Sequence, residues 1–204
     1  MKKTVGIIAL MLAVLLALPM VSCSGKAPEL EGIKERLVYL VEESKELNVL
    51  FFGNGLPVYR REDALTERKM VYFNSNLSNY ERVMENSSYV SIEKMKAAAE
   101  RVYSEDYISE IYESAFDGIM TGNSSAYVRF FDNGEWLYQN VNKSNFSLNE
   151  RIYDYSTMKI VAPSSADYIN VTVESYSLAD NVRQTVYLSF IYENENWYLD
   201  SPTY

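Results

Sequence analysis

The chain has no histidine and a single cysteine, Cys23, in 204 residues. Without imidazole, Ser-His-Asp and Cys-His catalysis are excluded, as are His-ligated zinc and haem sites. A lone thiol cannot close an internal disulfide. Basic residues are also in deficit, with 19 Lys and Arg against 28 Asp and Glu, a formal charge of −9. That balance argues against a nucleic-acid partner and against electrostatic attachment to anionic lipid. No apolar run is long enough to span a membrane, since the longest, Val5 to Leu18, has 14 residues against the ~20 needed. No internal repeat is present, and no low-complexity tract beyond that run. Carboxylate chemistry, Tyr or Lys nucleophiles and all-oxygen metal sites remain open.

What is there begins with that apolar run. Lys2 and Lys3 precede it, and Pro19-Met20-Val21-Ser22-Cys23 closes it. A basic start, an apolar stretch of about 7–15 residues and a small residue before the cut are the parts of a secretory signal. Met20-Val21-Ser22-Cys23 resembles a lipobox, with Met20 where leucine is usual. The thiol is the acceptor for the lipid and Ser22 is the small residue ahead of it. Residues 1–22 are therefore expected to be a lipoprotein signal peptide, with Cys23 lipidated and residues 23–27 a short tether. Two or three acyl chains on one residue give stable anchoring where one is marginal. The expected location is the extracytoplasmic face of the cell membrane. Acylation of Cys23 also leaves no thiol for a metal site.

Residues 23–204 then hold 17 basic and 28 acidic residues, a formal charge of −11. That length suits one domain, residues 28–204, with a helical prefix at 28–52 and a sheet-rich half at 126–204. Pro28 suits a first helical turn. Leu30, Ile33, Leu37, Leu40, Ser44, Leu47 and Phe51 recur at helical spacing, and charges fill the other face. Gly53-Asn54-Gly55 and Pro57 end that helix; the stretch 50–59 reads as a cap and an apolar return segment, with a binding loop as the alternative. Met70 to Phe73 is a short strand candidate, and residues 80–89 are ambiguous. Ser91 and Ser104 are N-caps of two short helices over residues 91–116.

After Gly122 the pattern changes. Residues 127–131 and 135–138 flank Asp132-Asn133-Gly134 as a hairpin. Three long strands follow, at 151–162, 167–176 and 182–192. Ile169, Val171 and Val173 alternate with polar residues in the second, and Val182, Val186, Leu188 and Phe190 share a face of the third. Residues 197–200 make a last strand. The expected fold is α+β, with an N-terminal helix and two short helices packed on a curved antiparallel sheet of about four to six strands.

The stretches Ser91 to Met95, Tyr103 to Tyr107, Asp132 to Tyr138 and Glu195 to Asp200 resemble the NTF2-like and cystatin-like layout. Within that layout the chain is most similar to uncharacterised clostridial-type surface lipoproteins. More loosely it resembles the IseA family of secreted inhibitors of cell-wall DL-endopeptidases, which usually has glycine where Asn196 stands. The resemblance spans residues 91–204 and implies a protein partner in the cell envelope. No inhibitory residue of that family maps onto this sequence.

Three functional expectations follow. The first is a non-catalytic, membrane-anchored surface lipoprotein that acts as a binding module and inhibits or regulates a cell-wall hydrolase. An acidic, tyrosine-rich surface would dock on a basic enzyme cleft, with 18 tyrosines available as rigid contact residues. The second is a small-ligand pocket between helix and sheet, walled by Trp136, Tyr138, Tyr153, Tyr155 and Trp197; the plain alternative is that these rings fill the core. The third is a carboxylate enzyme using Asp132 with Glu135, Glu105 with Asp106, or Asp154. It is disfavoured because the first pair sits in a hairpin turn and the second in a first helical turn. The sequence calls for no cofactor or metal, and Asp132 to Glu135 offers too few oxygens for a calcium loop.

Overall fold

A computed structural model describes residues 25–59, 80–117, 128–141 and 148–204. The stretch 1–22 expected to be a signal peptide, Cys23 and the strand candidate at Met70 to Phe73 lie outside the described residues. The fold is mixed α+β, with two antiparallel sheets where the sequence suggested one.

Helix α1 runs Leu30–Phe52 and buries Leu37, Leu40, Val41, Ser44, Leu47, Asn48, Leu50 and Phe51. Pro28 stands two residues outside it, because the helix starts at Leu30 behind Glu29, which makes no side-chain cap. Its end follows the glycine signal, with the Gly53 N–H bonded to the carbonyls of Asn48 and Val49. Helix α2 (Ile92–Ala99) and helix α3 (Glu105–Tyr112) begin on the expected caps. Ser91 Oγ accepts from the Lys94 N–H at 3.4 Å and Ser104 Oγ from the Tyr107 N–H at 3.1 Å. A π-helical turn, Glu113–Asp117, continues α3.

The small sheet holds β1 (Tyr80–Arg82), β2 (Phe130–Asp132) and β3 (Leu137–Asn140) in the order β1-β3-β2. Its hairpin turn is longer than the sequence suggested. Asp132 pairs with Leu137, so Glu135 and Trp136 belong to the turn. Asn133 Oδ1 accepts the N–H groups of both, at 3.0 and 2.8 Å, and Gly134 adopts φ +86°. The side chain thus takes over donors that a longer ladder would have used.

The large sheet holds β4 (Arg151–Val161), β5 (Tyr168–Ser177), β6 (Arg183–Glu193) and β7 (Asn196–Leu199) in chain order. Alternation sets its two faces. Ile169, Val171 and Val173 of β5 pair with Phe190, Leu188 and Val186 of β6 and point inward, almost all of them fully buried. Val182, expected on that face, lies before β6 and is exposed. It sits in the turn, where its carbonyl accepts the Ser177 N–H. The register of β4 slips between Asp154 and Lys159, where Asp154 Oδ1 gathers the backbone and hydroxyl of Ser156. A bulge of this kind bends an edge strand and blunts its pairing with other chains.

Helix α1 lies on the inward face of the large sheet, and one apolar cluster joins them to α2, α3 and Phe130 of β2. The C-terminal residues close the seam. Thr203 Oγ1 bonds Ser44 Oγ and Asn48 Nδ2, both at 2.7 Å, and its carbonyl accepts from Tyr153 at 2.7 Å. Tyr103 donates to Asn48 Oδ1 at 3.1 Å, so the buried amide has partners at both ends.

Candidate functional site: an acidic cleft at the helix–sheet junction

The five aromatic residues expected to wall one pocket occupy three separate places. Trp136 and Tyr138 belong to the small-sheet region. The Arg82 guanidinium lies 3.2 Å from the Trp136 ring centroid, and Tyr138 is buried beside Phe131 at 6.1 Å. Tyr153 and Tyr155 stack at 5.9 Å on β4, one edge of the large sheet. Their hydroxyls go to Thr203 and to Glu42 of α1. Trp197 is on β7, the opposite edge, packed on Tyr192 at 5.3 Å. Between α1 and the large sheet the space is filled by the protein's own chain. Ile169, Val171, Phe190 and Leu199 are each 0 % exposed.

Of the carboxylates considered for catalysis, Asp132 and Asp154 have local structural partners. Asp132 Oδ1 accepts the Gly134 N–H at 2.7 Å within the hairpin turn. Asp154 bonds Ser156 and faces Arg183 at 3.5 Å; those contacts hold its carboxyl below the usual range. Glu105 and Asp106 occupy the first turn of α3, where the helix dipole favours acids. Among the described residues, no three His, Cys, Asp or Glu side chains converge as metal ligands.

A concavity of about 490 Å³ opens where α2 hands over to α3 beside the β6–β7 turn. Three features of the chain build it. First, the linker between the helices runs as a short parallel strand beside β7: the Ser104 N–H donates to the Leu199 carbonyl and the Leu199 N–H to the Val102 carbonyl, each at 2.9 Å. Ser104 Oγ also donates to Asp200 Oδ1. Second, Asn194 and Glu195 both take positive φ, 49° and 65°, in the two-residue turn between the paired Glu193 and Asn196. This is the backbone of a hairpin turn that matches strand twist. It brings Glu193 Oε1 within 3.1 Å of the Glu105 N–H, capping α3 with a carboxylate. Third, Tyr112 donates to the Lys96 carbonyl and to Glu100 Oε1, both at 3.2 Å, fixing the opposite wall.

The result is a cleft lined by four acidic side chains, Glu100, Glu105, Asp117 and Glu193, and by the rings of Tyr103, Tyr112 and Tyr198. Ile108 adds an apolar side chain, and no Lys or Arg is in the lining among the described residues. None of the four acids is in an ion pair among the described residues. Burial pushes the Tyr103 and Tyr112 phenols well up, with the Glu100 carboxylate adding to the effect at Tyr112. Both rings are therefore neutral hydrogen-bond donors at neutral pH. Two of these rings already carry cations of the protein itself, Lys96 at 4.7 Å from the Tyr112 centroid and Arg36 at 5.8 Å from that of Tyr198. The sequence pointed to Glu105 as a helix-start acid. It carried no signal that these acids meet, because the meeting depends on the linker–β7 pairing. No family model matches this chain, and no curated protein matches it at a meaningful level of similarity.

Proposed function

We propose that this chain is a non-catalytic lipoprotein, tethered through Cys23 to the outer face of the cell membrane, that binds another protein of the envelope. A cell-wall hydrolase is the candidate partner. The observation that carries this reading is the acidic, tyrosine-lined cleft, held by backbone pairing and by side-chain caps. A surface already fixed in shape loses little freedom on binding, and tyrosine is enriched at the contact residues that carry binding energy in protein interfaces. The acidic excess of the chain favours rapid encounter with a basic partner. The resemblance to secreted endopeptidase inhibitors points the same way.

Two measurements test it. Metabolic labelling with an alkyne fatty acid should mark the wild-type chain and not a Cys23→Ala variant, and the variant should leave the membrane fraction. Full-length protein in nonionic detergent, at a one-to-one ratio, should slow peptidoglycan cleavage by a purified hydrolase. Unchanged rates across a panel of such enzymes would remove the hydrolase as partner.

A further inference from the structure

We infer that the end of the large sheet at the β4–β5 turn rests on the phospholipid bilayer, held there by the chain between Cys23 and α1. This rests on the lipid anchor proposed above and names the surface that the anchor brings to the membrane. The chain is already seated on the body at Gly25. A side-chain carbon at that residue would stand 2.8 Å from the Ala166 Cβ, and Ala27 packs on the core. Gly25 follows Cys23 by two residues, a reach of at most ~7 Å. An acylated Cys23 therefore keeps Ala166 beside the lipid headgroups, and residues 25–27 are part of the body where the sequence suggested a tether.

Strand register shows what else lies at that end. Tyr168 pairs with Ile191, and the Tyr192 N–H donates to the Asp167 carbonyl at 2.7 Å, so the β6–β7 turn stands beside the β4–β5 turn. The β5–β6 turn is at the other end, across the ten residues of β5, roughly 30 Å away at ~3.3 Å per residue. At the first end the exposed Ala162, Pro163 and Ala166 carry no charge. Tyr192 there is 44 % exposed, a residue type enriched at the water–lipid boundary. Asp167 and Glu195 are exposed there too, so the short chain to the lipid fixes the contact, and not attraction to anionic headgroups. The exposed Leu178 and Val182 are carried outward with the β5–β6 turn, away from the lipid.

The test uses full-length acylated protein in phosphatidylcholine vesicles, isolated by flotation. Asp167→Cys and Ala179→Cys, each at an exposed position and in separate chains, are labelled with a fluorescent maleimide; the acylated Cys23 does not react. A nitroxide on the lipid headgroup serves as a short-range quencher. Quenching should be at least about twofold greater at position 167 than at position 179, which stands roughly 30 Å further out, and the difference should persist at high salt. Twelve Gly and Ser residues inserted between Ser24 and Gly25 add about 19 Å of mean reach and should bring quenching at position 167 down to the level at position 179. Should Asp167→Cys not fold, Asn196→Cys on the adjoining turn repeats the reading. Equal quenching at both positions, more at position 179, or a difference unmoved by the insertion would overturn the inference, while flotation keeps the lipid anchor. Protein that does not float with the vesicles removes the anchor and this inference together.

Discussion

The large sheet turns Ile169, Val171, Val173, Leu188 and Phe190 toward α1, whereas the small sheet and the residue leading into its β2 send Arg82, Gln139 and Arg129 into the interior. In the first region the inward face is aliphatic and aromatic, and its stability follows apolar area removed from water. In the second, strands of three or four residues present too little apolar surface to dock on that basis alone. Hydrogen bonds from buried polar side chains fasten it to α1 instead. Arg129 is the main fastener. Its guanidinium donates to the Gly53 carbonyl at 2.6 Å, the Asn140 carbonyl at 2.8 Å and the Leu50 carbonyl at 3.5 Å. It thereby satisfies the open end of a helix that has no basic residue in its last turn. Burial pushes this guanidinium down to about 10, which leaves it a cation at neutral pH. Gln139 completes the clamp, accepting the Leu56 N–H at 2.6 Å and donating to the Asn54 carbonyl at 3.0 Å.

The comparison is sharpened most by removing one residue from each region. Phe190 is 0 % exposed at the centre of the large sheet's inner face, and Phe190→Ala should cost about 3–5 kcal/mol from lost burial and the cavity left behind. Arg129→Met keeps most of the volume and the apolar stem but withdraws every donor, and should cost about 3 kcal/mol through carbonyls left without partners. Urea unfolding measures both. A neutral or stabilising Arg129→Met would break the contrast, because apolar packing would then hold the small sheet as well.

These regions also differed in how far the sequence disclosed them. The alternation of Ile169, Val171 and Val173 with Asn170, Thr172 and Glu174 is local, and it specified β5 and its buried face correctly. The spacing of Leu37, Leu40, Ser44, Leu47 and Phe51 did the same for α1, and Ser91 and Ser104 were legible as caps because capping acts within three residues. The small sheet was not legible as a separate sheet. β1 pairs with β3 across more than fifty residues of chain, and a three-residue strand has no period to read. The cleft was illegible for the same reason. Glu105 and Glu193 stand 88 residues apart, and only the pairing of the 102–104 linker with Leu199 brings them together. The aromatic residues picked out by type were scattered, since tyrosine and tryptophan serve as core and edge residues wherever a strand needs bulk.

Gly55 offers a smaller test of the same fastening. It adopts φ +73°, a region that side chains rarely enter, and a methyl there would overlap the Gln139 carboxamide and the Arg129 guanidinium. Gly55→Ala should therefore cost about 2 kcal/mol. The control is Gly32→Ala, whose added methyl meets nothing within 4 Å. It lies inside α1, where alanine should stabilise by about 1 kcal/mol. A Gly55→Ala variant as stable as Gly32→Ala would show that the Arg129–Gln139 clamp tolerates a side chain at residue 55.

The smallest expected effect asks whether polar contacts matter at the large sheet too. Tyr155 of β4 donates to Glu42 of α1 at 2.5 Å, and Lys45 bonds the same carboxylate. Burial alone would raise Glu42, but the bonds from Lys45 and Tyr155 outweigh it and hold the carboxyl below its ordinary 4.5. A depressed carboxyl stabilises the fold above its unfolded value and loses that contribution as pH falls through its folded value. Tyr155 itself is raised above 10, by burial first and then by Glu42. Its contribution is present below pH 10 and is lost as the pH climbs beyond it. Tyr155→Phe should therefore cost under about 1 kcal/mol at neutral pH, and should flatten the stability curve at both ends, below pH 4.5 and above pH 10. A loss at pH 7 as large as that of Arg129→Met would place polar fastening on both sheets and dissolve the distinction between them.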